Sequence, residues 1–253
     1  MILLYILLGG KMCTAISESG FFGRTLDVEC DWGGEVVIHK NIIGMARRVR
    51  GVPLWFDAAN RYGLGGAALN FPGLAVYRSE SDKRVNVPSY DLIEFVLRKC
   101  KNAREAANLL SDVNITPDAF APDMPPTPLH WIFADPKESI VFEQTIDGGK
   151  VYPNPIGILT NAPTFPEHLN NIEKGRMATD LSSESRFILA AEAKKRPAPE
   201  CAEQFFDMMK SVFVELGKGS KKETKTVYTS CIDLVKGKYY CKTDEKFKCY
   251  SFL

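Results

Sequence analysis

Cys13 directly follows a methionine, at the head of the apolar stretch Met12-Cys13-Thr14-Ala15-Ile16. If Met12 is removed, this cysteine becomes the first residue of the mature chain and carries a free α-amine beside its own thiol. An α-amine, whose ordinary pKa is roughly 7.7–8.0, is a base near neutral pH, and a thiolate is a strong nucleophile. One residue would then supply both functions. Read alone, however, the dipeptide better fits an ordinary buried cysteine at the start of a strand.

The residues that follow Cys13 predict a short β-hairpin. Its parts are a strand at residues 14–16, a turn at residues 17–20 and a return strand at residues 21–27. The return strand would bring Arg24 and Asp27 back beside Cys13. A cation near a thiol favours the thiolate, and a carboxylate can hold that cation or accept from an α-ammonium. Without further context, the same two charges would be an exposed ion pair of little energetic value.

Composition narrows the class of protein. The chain has 253 residues, enough to bury a large core as one domain. Its net charge is +1, with Lys and Arg dispersed, so neither a nucleic-acid partner nor a polybasic membrane surface is indicated. The seven cysteines include no C-x-x-C pair and no Cys/His spacing suited to zinc. We therefore expect reduced thiols in a cytoplasmic protein, with no metal and no cofactor.

The stretch before Met12 is apolar but too short to span a bilayer. It also lacks the basic start and the A-x-A-like cleavage site of a signal peptide. We interpret residues 1–12 as an upstream extension or propeptide that is not part of the fold. A mis-assigned start codon, with initiation at Met12, is the preferred explanation, and a cleaved propeptide is the alternative. Either route leaves Cys13 first.

Apolar periodicity and turn residues along the rest of the chain predict groups of strands and helices. The predicted strands are residues 35–40, 64–71, 129–134, 139–145, 156–160, 226–235 and 238–241. The predicted helices are residues 90–100 after Ser89, 103–110 after Asn102, 184–195, and 199–216 before Gly217. The proline-rich residues 117–128 predict a loop. This order of strands, helices and strands indicates a layered α+β domain.

Short motifs then follow one another along the chain. They are Met12-Cys13-Thr14, Phe22-Gly23-Arg24-Thr25-Leu26-Asp27, Tyr62-Gly63-Leu64, Ala68-Leu69-Asn70-Phe71-Pro72, Leu129-His130-Trp131, Glu143-Gln144-Thr145, Leu159-Thr160-Asn161-Ala162-Pro163-Thr164-Phe165, Ser185-Arg186-Phe187 and Tyr228-Thr229-Ser230-Cys231. This ordered set resembles the choloylglycine hydrolase family, the bile salt hydrolases and penicillin V acylases among the N-terminal-nucleophile hydrolases. The resemblance covers most of residues 13–253. It implies the fold of that class, an α+β four-layer αββα sandwich.

The resemblance also implies catalytic roles for six residues, which are Cys13, Arg24, Asp27, Asn70, Asn161 and Arg186. Cys13 matches the nucleophile, with its amine as proton shuttle and with Arg24 and Asp27 beside it. The side-chain amide of Asn161 and the backbone N–H of Asn70 match the donors that face the developing oxyanion. Arg186 matches the arginine that holds the surroundings of the nucleophile. Cys13, Arg24 and Asn70 are also expected to contact the substrate. Read alone, the two asparagines are turn formers beside prolines.

The chain departs from the family pattern in one interval. Residues 174–184 stand where family members carry a longer glycine-rich segment before the Ser-Arg-Phe motif. By the resemblance, that segment forms part of a pocket wall and of the subunit contact. We therefore expect a domain with an internal shortening near residues 174–184, and an oligomer, if one forms, smaller than a tetramer.

The expected activity is hydrolysis of the amide bond in glycine- or taurine-conjugated bile acids, a small-molecule substrate. Two alternatives stay open: a penicillin V acylase-type amidase, and a degenerate member that only binds sterol-like ligands. A papain-like mechanism would need a histidine base. His39, His130 and His168 are the histidines of the chain, and each fits a structural role better because no orienting acid stands at an obvious position.

Overall fold

The computed structural model describes residues 12–28, 32–213, 225–243 and 247–252. The strands, in chain order, are β1 (Met12–Glu18), β2 (Phe21–Val28), β3 (Glu35–His39), β4 (Ile42–Val49), β5 (Val52–Asn60), β6 (Gly65–Asn70), β7 (Val85–Pro88), β8 (Val113–Thr116), β9 (Leu129–Ala134), β10 (Ser139–Thr145), β11 (Gly148–Pro153), β12 (Ile158–Leu159), β13 (Lys225–Asp233), β14 (Lys238–Lys242) and β15 (Phe247–Ser251). The helices are α1 (Leu92–Lys99), α2 (Ala103–Leu110), α3 (Phe165–Glu173), α4 (Ser183–Ala193) and α5 (Ala202–Met209), the last continuing into a 3-10 turn (Lys210–Val212).

Two large antiparallel sheets form the centre of the molecule. One has six strands in the spatial order β12-β1-β2-β13-β14-β15, and the other has seven in the order β11-β10-β9-β6-β5-β4-β3. The sheets face each other, with β1 lying against β6. A short parallel pair, β7 and β8, stands apart from them.

Helices cover the outer face of each sheet. Helix α1 packs on β5 and β6 and helix α2 on β9 to β11, whereas α4 packs on β1 and β12 and α5 on β2 and β13. One apolar core fills the space between the sheets and extends under α4 and α5, and a second lies between the seven-stranded sheet and helices α1 and α2. The order of layers is therefore helix, sheet, sheet, helix. The predicted α+β four-layer αββα architecture is confirmed.

Most predicted elements appear close to their predicted bounds. The strands 129–134 and 139–145 and the helix 103–110 match, and the Asn102 side chain accepts a hydrogen bond from the backbone N–H of Glu105, as a cap should. Helix α1 is shorter than predicted and begins after Asp91, so Ser89 is not its cap. Strand β12 is also shorter than the predicted residues 156–160.

The hairpin of β4 and β5 was not predicted, although it carries several residues of the site. Its two strands are joined by Arg50 and Gly51, both at positive φ (51° and 82°), as in the two-residue turns of β-hairpins. An Arg-Gly pair is a weaker turn signal than Asn-Gly, and the sequence on either side does not alternate cleanly.

The expectations for residues 1–11 and for Gly217 fall outside the described residues. Met12 itself is the first residue of β1 and stands opposite Asp27 in the ladder. The division into residues 1–12 and 13–253 stays a prediction. In the part of the chain that is described, no helix is long and apolar enough to cross a membrane.

Candidate active site

The hairpin of β1 and β2 places the first three candidate residues together. Ser19 and Gly20, both at positive φ, form its two-residue turn, which is tighter than the predicted residues 17–20. The ladder sets Cys13 opposite Leu26 and Met12 opposite Asp27. The Arg24 side chain then reaches the cysteine, and its Nη2 lies 2.6 Å from Cys13 Sγ. The predicted proximity of Arg24 to the thiol is therefore present.

The Arg24 guanidinium is inserted where strands β5 and β6 part. The β5–β6 ladder ends at the pair Asp57 and Ala67. One residue further along each strand, the carbonyl oxygens of Phe56 and Ala68 both accept from Arg24 Nη1, at 2.9 and 2.6 Å. Since the planar fork of an arginine can serve several acceptors at once, this side chain bridges the two strands and still donates to the thiol.

Asn161 joins the nucleophile strand to β6. Its Oδ1 accepts from the backbone N–H of Cys13 at 2.8 Å and from Arg186 Nη2 at 3.0 Å. Both partners are donors, so the orientation of the amide is fixed and Nδ2 faces the other way. That Nδ2 donates to the carbonyl oxygen of Asn70 at 2.8 Å, which leaves it one further hydrogen.

Asn70 presents its backbone to the same space. The oxygen of Ala68 accepts from Arg24 and that of Asn70 accepts from Asn161, so residues two apart use the same edge of β6. In a strand, the N–H and C=O of one residue point to the same side. The backbone N–H of Asn70 therefore also lies at this edge, beyond the last β5 partner.

Arg186, on helix α4, is fully buried and holds the backbone of the nucleophile. Its Nη1 donates to the carbonyl oxygen of Cys13 at 2.6 Å and to Thr14 Oγ1 at 2.7 Å. The same nitrogen lies 3.9 Å from Asp27 Oδ2. The six predicted residues are thus brought together by strands β1, β2 and β6, the end of β12 and one helix.

The buried charges of the site modify one another. Burial raises the pKa of Asp27 to about 6, although Arg186, Thr226 and Arg24 act in the opposite direction. Burial disfavours the charged form of Arg24, but Cys13, Tyr228, Asp57 and Asp27 outweigh it, so the pKa of Arg24 is raised. Thr226 Oγ1 donates to Asp27 Oδ1 at 2.6 Å, whereas Oδ2 has no hydrogen-bond donor among the described residues.

Two histidines, which the sequence indicated only as structural residues, hold the peptide that carries Asn161. His130 Nε2 donates to the carbonyl oxygen of Thr160 at 2.7 Å, and His168 Nε2 donates to that of Asn161 at 2.9 Å. His130 Nδ1 lies 3.1 Å from Glu143 Oε1. Neither ring contacts Cys13 Sγ in the described structure. The arrangement does not provide the thiol–imidazole pair of a papain-like enzyme.

A buried carboxylate behind Arg24 was missed by sequence reasoning. Asp57 accepts from the hydroxyls of Tyr228 and Tyr239, each at 2.7 Å, and from Ser230 Oγ at 3.2 Å. Ser230 Oγ also accepts from the backbone N–H of Arg24 at 3.1 Å. The motif Tyr228-Thr229-Ser230-Cys231 was a signal for two of these donors, but Asp57 lies on the hairpin that was not predicted.

A pocket opens beside the thiol. Cys13, Arg24 and Asn70 line it, together with Arg47 of β4 and largely apolar side chains from β5, β6, α1, β9 and the loop before β9. An apolar lining with a few polar groups is typical of a site for a small organic molecule. Among the described residues, no group of acidic, histidine or cysteine side chains could hold a metal ion.

The fold and this constellation agree with the comparison to protein families. The model of the linear amide C–N hydrolases of the choloylglycine hydrolase family matches residues 13–180 and again residues 175–252. The chain belongs to the choloylglycine hydrolase family. The two matched parts meet within the interval where the sequence predicts a shortening.

The chain is similar to bacterial members of this family over almost its whole length. It is 33% identical to the bile salt hydrolase/transferase of Lactiplantibacillus plantarum, an alignment that covers 92% of this chain and 89% of the relative. It is 30% identical to a conjugated bile acid hydrolase of Lactobacillus acidophilus, with 94% of each chain covered. The first alignment spans 288 positions, more than this chain has residues, so the relative contains segments that this chain lacks.

Solved structures give the same result. A mutant of conjugated bile acid hydrolase from Clostridium perfringens superposes with a TM-score of 0.88 at 27% identity, covering 95% of this chain and 92% of that one. Penicillin V acylase from Agrobacterium tumefaciens, at 16% identity and a TM-score of 0.67, shares the fold.

Proposed function

We propose that this protein hydrolyses the amide bond of glycine- or taurine-conjugated bile acids, with Cys13 as an N-terminal nucleophile. The observation that carries the proposal is the contact between Arg24 Nη2 and Cys13 Sγ, both of which line a largely apolar pocket. A cation in contact with a thiol stabilises its thiolate. The similarity to bile salt hydrolases at about 30% identity supports the substrate class.

The first step would use Cys13 for both nucleophile and base. Once Met12 is removed, the α-amine takes the thiol proton and the sulfur attacks the substrate carbonyl. The ammonium then gives its proton to the leaving nitrogen, which departs as glycine or taurine and leaves a thioester of the bile acid. Water hydrolyses the thioester with the amine again acting as base. Asp27 Oδ2, which is buried and lacks a hydrogen-bond donor in the described structure, is suited to receive the ammonium.

The developing oxyanion would be met by two donors. One is the second hydrogen of Asn161 Nδ2, and the other is the backbone N–H of Asn70 at the open edge of β6. Arg186 and the two histidines keep the Asn161 amide in place. Donors fixed before the reaction lower its barrier because they need no reorganisation.

The pocket supports a bulky apolar acyl group. Trp55, Phe56, Ile93 and Met124 give walls against which a steroid could lie, as expected for the mostly apolar lining of a ligand site. Penicillin V remains the competing substrate to be tested, because its acyl group is also apolar.

The free state of the cysteines in the described part also supports a reducing, cytoplasmic location, which we propose.

Processing provides the decisive test. Protein that begins at Cys13, verified by intact mass and N-terminal sequencing, should release glycine or taurine from glycocholate or taurocholate. The same chain with residues 1–12 retained should be inactive, because an amide nitrogen is not basic. Cys13→Ala in the processed form is the matched control and should also be inactive. Full activity with residues 1–12 attached would refute the N-terminal mechanism, and failure of the processed protein on every conjugate would refute the substrate.

A further inference from the structure

Arg47 stands out among the residues that line the pocket. It lies on β4 opposite Leu54 of β5, is partly buried, and faces a largely apolar space. No hydrogen bond or ion pair holds its guanidinium within the described residues. Its neighbour Arg48, in contrast, is exposed and does not line the pocket. It also forms an ion pair with Glu35 at 3.0 Å. A charge beside apolar walls without a partner is costly unless a ligand completes it.

The other arginine of the pocket is already committed. Four polar contacts occupy Arg24, to Cys13 Sγ and to the carbonyl oxygens of Thr25, Phe56 and Ala68. It therefore has little capacity left for an anion on the substrate. Arg47 is the remaining cation among the described residues that line the pocket.

Arg47 and Asn70 line the same pocket from two strands on either side of β5. The last β5–β6 pair is Asp57 with Ala67, and Leu54 and Asn70 each stand three residues further along their own strand, on either side of the opening between the strands. Leu54 is also the partner of Arg47. Strands lie about 4.8 Å apart, so the backbones of Arg47 and Asn70 are separated by roughly 10 Å or more. A long arginine side chain can cross much of this distance, and all three residues line the pocket.

We propose that Arg47 is a specificity-determining residue that binds the anionic terminus of the leaving amino acid, the carboxylate of glycine or the sulfonate of taurine. This inference rests on the proposed function. The substrates have one anionic group, one carbon from the scissile nitrogen in glycine and two in taurine. With the carbonyl held by Asn161 and Asn70, that group would extend from Asn70 past Leu54 toward Arg47, along the pocket wall that these residues line. An arginine also offers coplanar N–H donors that can bind either a planar carboxylate or a tetrahedral sulfonate.

The test compares substrates that differ only in charge. Glycocholate and its glycinamide counterpart have the same skeleton, but the second lacks the carboxylate. For Arg47→Met, the ratio of kcat/KM for glycocholate to that for the glycinamide conjugate should fall about tenfold or more, through KM, since charged hydrogen bonds have about that effect. For Arg47→Lys, this ratio should lie between that of the wild type and that of Arg47→Met. Arg48→Met is the matched control, and its ratio should equal that of the wild type.

A binding measurement keeps this result separate from the proposed activity. In the Cys13→Ala background, calorimetry gives the Kd for glycocholate and for the glycinamide conjugate without turnover. Charge-dependent binding that is lost with Arg47→Met supports the inference even if the wild type cleaves nothing, which would refute the proposed function alone. An unchanged ratio, or an equal loss for charged and neutral conjugates, would overturn the role of Arg47 whether or not the enzyme is active.

Discussion

At the scale of single residues, Asn161 is the side chain whose geometry is most fully determined. Two donors face its Oδ1 and one acceptor faces its Nδ2, so a single hydrogen is left to meet an oxyanion. We predict that Asn161→Ala lowers kcat by a factor of about 10²–10³ with little change in KM. Steady-state kinetics on taurocholate measures this, with the exposed Asn108→Ala as control. A kcat within threefold of wild type would be inconsistent with the oxyanion role.

Asn70 is where we expect substrate choice to be set. In the proposed reaction its backbone N–H faces the oxyanion, and its side chain offers both a donor and an acceptor to the polar leaving group. By family resemblance, a tyrosine at this position goes with penicillin V acylases. We predict a higher kcat/KM for conjugated bile acids than for penicillin V, and a narrowed or inverted ratio in Asn70→Tyr. A wild type that prefers penicillin V to both glycocholate and taurocholate would contradict this.

His168 should make stability depend on pH. Burial lowers its pKa from 6.5 to about 4, although the Asn161 carbonyl contact acts the other way. Between those values the unfolded chain binds a proton that the folded chain does not, so the stability from neutral His168 is complete above pH 6.5 and is lost as the pH falls to 4.

The loss should amount to at most about 3 kcal/mol of unfolding free energy. His168→Gln keeps an N–H donor but does not titrate, so its stability should fall less than that of wild type between pH 7 and pH 4.5 in urea titrations. The partly exposed His39→Gln is the control. Parallel pH profiles for wild type and His168→Gln would show that this prediction is wrong.

At the scale of elements, Asp57 ties the two sheets together. It lies on β5 of the seven-stranded sheet, whereas its three hydroxyl partners lie on β13 and β14 of the other. Asp57→Ala leaves those hydroxyls without their acceptor and removes a negative charge that interacts with buried Arg24, and should cost about 3–5 kcal/mol. Tyr239→Phe removes one hydrogen bond and should cost about 1 kcal/mol. Chemical denaturation, with unchanged m-values, measures the loss of unfolding free energy in both variants. An equally small loss in Asp57→Ala and Tyr239→Phe would argue against a cross-sheet link.

The elements also show which parts could be predicted from sequence. The hairpin with Cys13, Arg24 and Asp27 could be predicted, because its strands are neighbours in sequence and their register follows from the turn. The hydrogen bonds of Asp57 could not be predicted, because its partners lie more than 170 residues away in sequence. These contacts depend on how the two sheets stack. Asn161 and Arg186 were found through motifs, whereas their mutual contact comes only from the packing of α4 on β1.

At the scale of the whole molecule, the connection between α3 and α4 should limit assembly. It is short, and Arg176 folds back to bond the Asn171 carbonyl oxygen at 3.0 Å. Family members, by the resemblance, use a longer segment here in their subunit contact. Without it the contact should fall below about 1,200 Å², the lower end of stable interfaces. We predict a monomer or dimer by light scattering. A tetramer that persists on dilution to nanomolar protein would rule this out.

The insertion of Arg24 between β5 and β6 has a consequence for how this protein can evolve. The side chain that touches the thiol is also the spacer that keeps two strands apart and opens the pocket between them. A lysine carries the same charge but lacks the planar set of N–H donors that binds both carbonyl oxygens and the thiol. A library randomised at position 24 should therefore return arginine whether it is sorted for folded protein or for turnover. We therefore expect a substitution at this site to lower stability and turnover together.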